Sequence, residues 1–207
     1  MEIKYFGYCC FRIKGKDIVL LTNPVDSSLG IKLPPLTADV VVTSGKGSQS
    51  QAALVVKAVS RETPFVIDGP GEYEIGGAFI LGTSGGKNNT IFVMTIDGLR
   101  LVFLGSQSDK LSEKQLEEVD GVDILFLPVG GKAMFSPKQA AGLVSQIEPK
   151  IIIPMAYKIP GLSLDLASLD DFLKEMGVEQ TSPQEKLIIS KDKLPLEKEV
   201  VVLNARS

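Results

Sequence analysis

The segment with the clearest potential for chemistry is a short run rich in glycine and hydroxyl groups, Ser44-Gly45-Lys46-Gly47-Ser48-Gln49. Backbone N–H groups in such a turn, with a lysine among them, favour an anion. Ser44 with Lys46 could also form a Ser–Lys catalytic pair, which occurs on other folds. The simpler interpretation is that Lys46 points into water and that Ser48 or Ser50 caps a following helix.

Other reactive groups are few, because the sequence contains no histidine. This absence excludes Cys–His and Ser–His–Asp catalysis and every zinc site that uses histidine. The cysteines, Cys9 and Cys10, are adjacent in a strand-like stretch, so they are poorly placed to bridge each other and are expected to be small buried groups. Gly130-Gly131-Lys132 lacks the spacing of a phosphate-binding P-loop and is interpreted as a turn.

Composition favours a soluble globular protein. The chain has 207 residues, of which 44% are hydrophobic and 23% charged, and we expect one domain over residues 1–207. A net charge of −3 gives no indication of nucleic acid as a partner. The sequence contains no long uncharged apolar run, so no membrane span is predicted. The cysteine usage fits a reducing cytoplasm.

The elements that must position these residues change in type along the chain. The first half predicts hairpins, with the strongest turn signal at Asp97-Gly98. The second half alternates strands with helices. Three strands, in segments 39–43, 123–128 and 150–154, lack period-2 alternation, which predicts that both of their faces are covered. Helices are predicted at 51–59, 111–119, 136–147 and 166–176.

Seven short segments form a recognisable set when taken in order. They are 6–11 (FGYCCF), 21–24 (LTNP), 38–44 (ADVVVTS), 69–75 (GPGEYEI), 103–106 (FLGS), 127–131 (LPVGG) and 153–157 (IPMAY). In this order they resemble the metallo-β-lactamase superfamily, and most closely its small branch of predicted zinc-dependent hydrolases related to the ascorbate-phosphate lactonase. The resemblance runs from about Met1 to Tyr157. It implies a four-layer αβ/βα sandwich of the α/β (α+β) class, with two mixed sheets flanked by helices.

The same resemblance implies that the metal ligands of the family have been replaced. Tyr8 stands where the family has a histidine, and Ser106 stands where it has the metal-bridging aspartate. The HxHxDH cluster of the family corresponds to the segment from Ser44 to Gln49. Ala156 replaces a further histidine of the family, and Asn23 stands where aspartate is usual. Another family histidine would lie in the 83–89 loop, which is shortened here and contains none. We therefore expect no metal, no cofactor and no catalytic residue, but a vestigial cleft formed by Tyr8, Ser44, Lys46, Ser48, Gln49, Ser106, Ala156 and Tyr157.

These observations favour a non-catalytic binding or scaffold module, a pseudoenzyme whose partner is a small molecule or another protein. Lys46 brings positive charge to the place of a metal, so an anion is the expected ion there. The resemblance also implies self-association, because relatives in this branch often form oligomers. Two alternatives stay open: a metal-independent hydrolase that uses the vestigial cleft, and a zinc-dependent hydrolase-like protein with an unrecognised metal site.

Overall fold

A computed structural model describes residues 1–25, 27–45, 56–59, 62–86 and 88–206 of the chain. Within these ranges the chain forms strands and three α-helices. In chain order they are β1 (Glu2–Tyr5), β2 (Phe11–Lys14), β3 (Val19–Thr22), β4 (Leu36–Ala38), β5 (Val40–Val42), β6 (Val56–Ala58), β7 (Phe65–Ile67), β8 (Gly71–Ile75), β9 (Ala78–Ser84), β10 (Thr90–Ile96), β11 (Leu99–Phe103), α1 (Glu113–Glu118), β12 (Ile124–Pro128), α2 (Pro137–Ile147), β13 (Ile151–Met155), α3 (Leu169–Glu175), β14 (Leu187–Ile188) and β15 (Glu199–Val200).

Most of the strands belong to two large mixed sheets. The first has six strands in the order β14-β1-β2-β3-β5-β7, and the second has seven in the order β15-β13-β12-β11-β10-β9-β8. In the first sheet β3, β5 and β7 are parallel, and in the second β11, β12, β13 and β15 are parallel, whereas the hairpin-connected strands are antiparallel. The predicted α/β class with two mixed sheets is confirmed, and the structure has two large mixed sheets and few helices in the ranges it describes.

The two sheets face each other across an aromatic core. The rings of Phe11 on β2 and Phe126 on β12 have centroids 4.7 Å apart, and Tyr5 stacks on Phe11 at the same centroid distance. All five residues of β12 and of β13 are buried. This burial confirms the prediction that these apolar strands are covered on both faces, and it fixes the strand ends that carry the candidate site.

Local sequence explains the turns and helix ends. Asp97 and Gly98 both have positive φ, as a two-residue hairpin turn requires, and they connect β10 to β11 as predicted. Ser112 and Ser136 cap α1 and α2 with capping boxes, and Ser168 caps α3. Helix α3 was predicted to begin at residue 166. It begins at Leu169, directly after the capping residue Ser168.

One predicted helix is wrong in the part that the structure describes. Residues 51–55 of the predicted 51–59 helix lie outside the described residues, but Val56–Ala58 forms β6, which pairs in parallel with β4 in a small two-stranded sheet. A partner strand distant in sequence decides this conformation, and helical spacing in a short apolar run cannot reveal such a partner. No helix within the described ranges is long and apolar enough to cross a membrane.

Candidate functional site

The residues expected to form a site lie where strands of both sheets end. They are Tyr8 between β1 and β2, Ser44 after β5, Ser106 after β11, and Ala156 and Tyr157 after β13. Loops at the carboxyl ends of parallel strands are a usual location for binding residues, because the sheet holds them firmly. Lys46, Ser48 and Gln49 lie outside the described residues.

The backbone holds Tyr8 and Ala156 together. The Ala156 N–H donates to the Tyr8 carbonyl oxygen at 2.8 Å, and the Tyr5 hydroxyl donates to the same oxygen at 3.0 Å. Both residues have a left-handed backbone conformation, with φ of 53° for Tyr8 and 54° for Ala156. This conformation costs a non-glycine residue roughly 1–2 kcal/mol. A Cβ at Gly130 would lie 1.9 Å from the Ala156 carbonyl oxygen, so glycine is needed there. The fold thus imposes special geometry where the resemblance places two histidines.

The Tyr8 side chain turns toward the loop after β11. It is largely buried, and burial raises the pKa of Tyr8 to about 12, against the opposing effect of a side-chain hydrogen bond with Ser106. The phenol therefore stays neutral at physiological pH. Two neutral residues, Tyr8 and Ser106, thus line the cleft at positions where the resemblance places metal ligands.

Ser44 is fixed by a two-point contact with Asn23, the residue that follows β3. The Ser44 N–H donates to Asn23 Oδ1 at 2.7 Å, and Asn23 Nδ2 donates to Ser44 Oγ at 2.8 Å. Ser44 is 1% exposed, and its carbonyl oxygen accepts from the Thr90 N–H of the second sheet at 2.8 Å. The end of β5 is therefore tied to β10 through ordinary neutral groups.

Asn89 performs a similar role from the other sheet. Its Nδ2 donates to the Leu104 carbonyl oxygen at 3.0 Å and to Gln107 Oε1 at 2.8 Å, and its Oδ1 accepts from the Ser106 N–H at 3.0 Å. Both donor hydrogens and the carbonyl of this amide are thereby used. We call Asn23, Ser44, Asn89, Ser106 and Gln107 together the amide network.

Gly105 shows how closely the network is packed. Its φ is +60°, and a Cβ there would lie 2.4 Å from Ser44 Cβ and 2.5 Å from Asn89 Oδ1. Such distances leave no room for any side chain. The turn after β11 can therefore approach both halves of the network because it carries glycine.

A cleft of about 260 Å³ opens above the network. Every lining residue that the structure describes is uncharged: Tyr8, Asn23, Pro24, Val25, Ser28, Leu29, Thr43, Ser44, Gly45 and Ser106. The buried Thr43 hydroxyl has no hydrogen-bond partner within the described ranges. The cleft thus offers hydroxyl and amide groups, and one buried hydroxyl whose hydrogen bonding is incomplete.

Three of the expected site residues, Tyr8, Ser44 and Ser106, line this cleft together. Ala156 contacts Tyr8 through its backbone but is fully buried. Tyr157 is also buried and packs against Tyr5, with ring centroids 6.2 Å apart, so it belongs to the core beneath the site. Burial raises the pKa of Tyr157 to about 12.

The cysteines are free and buried, as expected. Cys9 Sγ lies 4.0 Å from the Gly105 carbonyl oxygen, close to the network. Burial raises the pKa of both Cys9 and Cys10 well above the usual range of a thiol. Both sulfurs are therefore neutral thiols, whereas a metal ligand or nucleophile must be a thiolate.

The residues at this site do not fit a zinc ion. Zinc in proteins takes thiolate, imidazole or carboxylate ligands. No group of three or more such residues could hold a metal among the residues that the structure describes. Of the residues outside those ranges, Asp26 is the one with a carboxylate, thiol or imidazole. The amide and hydroxyl groups at the family's ligand positions are instead hydrogen-bonded to one another and to the backbone.

Sequence reasoning missed Asn89 and Gln107. Each is an ordinary polar residue beside a strand, and their importance depends on three chain segments converging. Asn23 was noted only as a replacement for aspartate. The one signal available was the shortened loop before Asn89, which indicated where a family ligand had disappeared.

The paired mixed sheets, with a site at their strand ends, define a protein of the metallo-β-lactamase fold. Residues 2–156 match the family model of the beta-lactamase superfamily domain, and the chain belongs to this superfamily. It is 30% identical over 218 residues to a metal-dependent hydrolase of Symbiobacterium thermophilum, covering 87% of this chain and 95% of the relative. A metal-dependent hydrolase of Carboxydothermus hydrogenoformans is 26% identical over 215 residues, covering 86% and 94%.

Solved structures agree with this assignment. A Thermotoga maritima protein, assigned to the Zn-dependent hydrolases of the metallo-β-lactamase superfamily, superimposes with a TM-score of 0.83 and 33% identity over 98% of this chain and 97% of that one. Igni18, a metallo hydrolase of Ignicoccus hospitalis, has a TM-score of 0.60 and 15% identity over 91% and 99% of the two chains. The second similarity shows the fold alone.

Proposed function

We propose that this protein is a non-catalytic member of its superfamily, a pseudoenzyme whose cleft binds a small molecule without metal. The observation that carries this proposal is the amide network. Asn23 is paired with Ser44, and Asn89 is paired with Ser106 and Gln107, at the strand ends where the resemblance places the metal ligands of the family. Groups committed to one another in this way are not available as ligands.

The described cleft also lacks the groups that metal-free hydrolysis requires. Ser44 and Ser106 supply hydroxyls, but a serine nucleophile needs a general base within hydrogen-bonding reach. The residues that line the described cleft include no imidazole, carboxylate or amine. Ser44 Oγ accepts a hydrogen bond from the Asn23 amide, which cannot remove its proton.

Binding, by contrast, needs only shape and hydrogen-bonding groups. Residues with hydroxyl groups, Tyr8, Ser28, Thr43, Ser44 and Ser106, line the cleft, and hydroxyls can bond a polar ligand directly or through a bridging water. Lys46 follows this cleft in the chain, directly after Gly45. The prediction that any ion bound here is an anion therefore stands as part of the proposal.

The second candidate is a hydrolase, because the relatives from Symbiobacterium thermophilum and Carboxydothermus hydrogenoformans are named metal-dependent hydrolases. One preparation distinguishes the candidates. The protein is purified without chelator from cells grown with added zinc, and its metal content is measured. The same preparation is assayed with p-nitrophenyl acetate and bis(p-nitrophenyl) phosphate, with and without zinc. We expect substoichiometric zinc and no turnover.

Each other outcome overturns the proposal in a defined way. Stoichiometric zinc with turnover would establish a metal-dependent hydrolase. Metal-free turnover that Ser44→Ala abolishes would establish a metal-independent one. Binding is tested by titrating phosphate calorimetrically: Lys46→Ala should weaken it, and Lys57→Ala, an exposed lysine on β6, should not. Equal phosphate affinity in the two variants would show that Lys46 does not contribute to binding.

A further inference from the structure

A second cavity lies on the far side of the segment that lines the cleft. Ser28 and Leu29 face the cleft, and the residues that follow them, 30–32, line a separate cavity of about 420 Å³. Ligand cavities in proteins commonly measure roughly 300–1,000 Å³. We call this second space the basic cavity, because two cationic side chains, Lys32 and Arg206, stand at its wall.

The frame of the basic cavity is formed by two loops fixed against each other. A Cβ at Gly30 would lie 2.1 Å from the Gly161 carbonyl oxygen, so the two backbones are in direct contact. The Ser163 N–H donates to the Leu29 carbonyl oxygen at 2.9 Å. The cavity is therefore shaped before any ligand arrives, which lowers the entropic cost of binding.

Much of the wall is apolar. Phe6 and Ile31 are buried core-type side chains, and Ile159 and Pro160 complete this side of the cavity. Ile31 and Ile159 meet above Gly7, where their Cδ1 atoms would lie 2.9 and 3.1 Å from an added Cβ. Such a surface favours the hydrocarbon part of a ligand.

The positive charges at the rim are only partly compensated. Arg206 forms an ion pair with Glu185, whose carboxylate lies 3.4 Å from Arg206 Nη2. Arg206 Nε is buried and lacks a hydrogen-bond partner within the described ranges. No ion pair of Lys32 is present among the residues that the structure describes, and its side chain is exposed. An acceptor with negative charge would satisfy both side chains.

We propose that the basic cavity binds a small organic anion with an apolar body, in chemical terms a medium-chain or aromatic carboxylate. The carboxylate pairs with the Arg206 guanidinium and with Lys32, since arginine forms strong charge-assisted hydrogen bonds with carboxylates. The hydrocarbon part lies against Phe6, Ile31 and Ile159. This site is separate from the cleft, and it does not depend on the function proposed there.

Octanoate is the probe, titrated into the intact protein and followed by calorimetry and by ligand-observed NMR. We expect octanoate to bind, and acetate and octylammonium not to bind measurably, because each lacks one of the two required features. Arg206→Gln and Lys32→Gln should each weaken octanoate binding about tenfold, the loss expected for one charge-assisted contact. Lys198→Gln, an exposed lysine outside the cavity lining, is the matched control and should bind as the native protein does.

Melting temperatures of all variants establish that they are folded before binding is compared. The backbone bond from the Arg206 N–H to the Tyr5 carbonyl oxygen is unaffected by the substitution, so folding should be retained. Absence of octanoate binding would overturn the proposal. So would equal binding of octanoate and octylammonium, or equal losses in Lys198→Gln and Arg206→Gln, because either result would mean that the cavity does not select a carboxylate.

Discussion

Removing the Asn89 side chain should be costly, because one amide joins three points of the site. Asn89→Ala removes its hydrogen bonds to Leu104, Gln107 and Ser106. A typical hydrogen bond contributes about 0.5–1.5 kcal/mol, so three contribute about 1.5–4.5 kcal/mol. Asn89 is half-buried, and water can replace part of this loss. We expect a decrease in unfolding free energy of about 2–3 kcal/mol, which lowers the melting temperature by about 4–12 °C for a chain of this size.

Urea denaturation and thermal melting measure this effect. Asn204→Ala is the matched control, because Asn204 is exposed and its amide makes one hydrogen bond, to Glu185. We expect a change within about 0.5 kcal/mol for the control, as for most surface substitutions. A loss below about 1 kcal/mol in Asn89→Ala, or equal losses in the two variants, would refute the view that Asn89 fixes the loop after β11 to the start of β10.

Three further outcomes are expected. Gly105→Ala should cost more than about 3 kcal/mol of stability in urea denaturation, because its Cβ would overlap Ser44 at a positive φ; a milder loss would mean that the turn can move. EDTA or added zinc should leave the melting temperature unchanged, since metal that binds the native state would raise it; a drop in EDTA would reveal a metal site. The pKa values of Tyr8 and Tyr157 are raised from 10.0 to about 12 by burial, so the unfolded state loses these protons first and stability should fall as pH rises from 10 to 12. Tyrosinate absorbance at pH 11 should accordingly be lower in native than in urea-unfolded protein.

Much of the fold could be predicted because its signals are local. Asp97-Gly98 specifies a turn through backbone conformation, and Ser136-Pro137 specifies a helix start through a cap and a fixed φ. The apolar runs of β12 and β13 require burial on both faces. In contrast, β6 depends on pairing with β4, whose residues are about 20 positions earlier, and helical spacing alone suggested the wrong conformation.

The candidate site was only partly predictable for a related reason. Tyr8, Ser44 and Ser106 were placed through resemblance to a family, and they line one cleft. Apart from the shortened 83–89 loop, the resemblance indicated nothing about Asn89 or Gln107, and their role depends on geometry that brings distant loops within 3 Å. Tyr157 adjoins Ala156 in sequence, but β13 ends at Met155 and Ala156 has a positive φ, a local conformation that the sequence did not predict, and Tyr157 packs into the core.

The side-chain hydrogen bonds of the amide network are made by neutral groups, and this determines which conditions can weaken them. A metal centre loosens when its ligands are protonated or when the ion is removed, so it responds to acidity and to metal supply. Amides and serine hydroxyls neither gain nor lose protons in the physiological range, and neutral contacts are little affected by salt. The bonds from Asn23 to Ser44 and from Asn89 to Ser106 therefore do not depend on protonation, and ionic strength affects them little. The loops at these strand ends are held by contacts that acidity and salt leave unchanged.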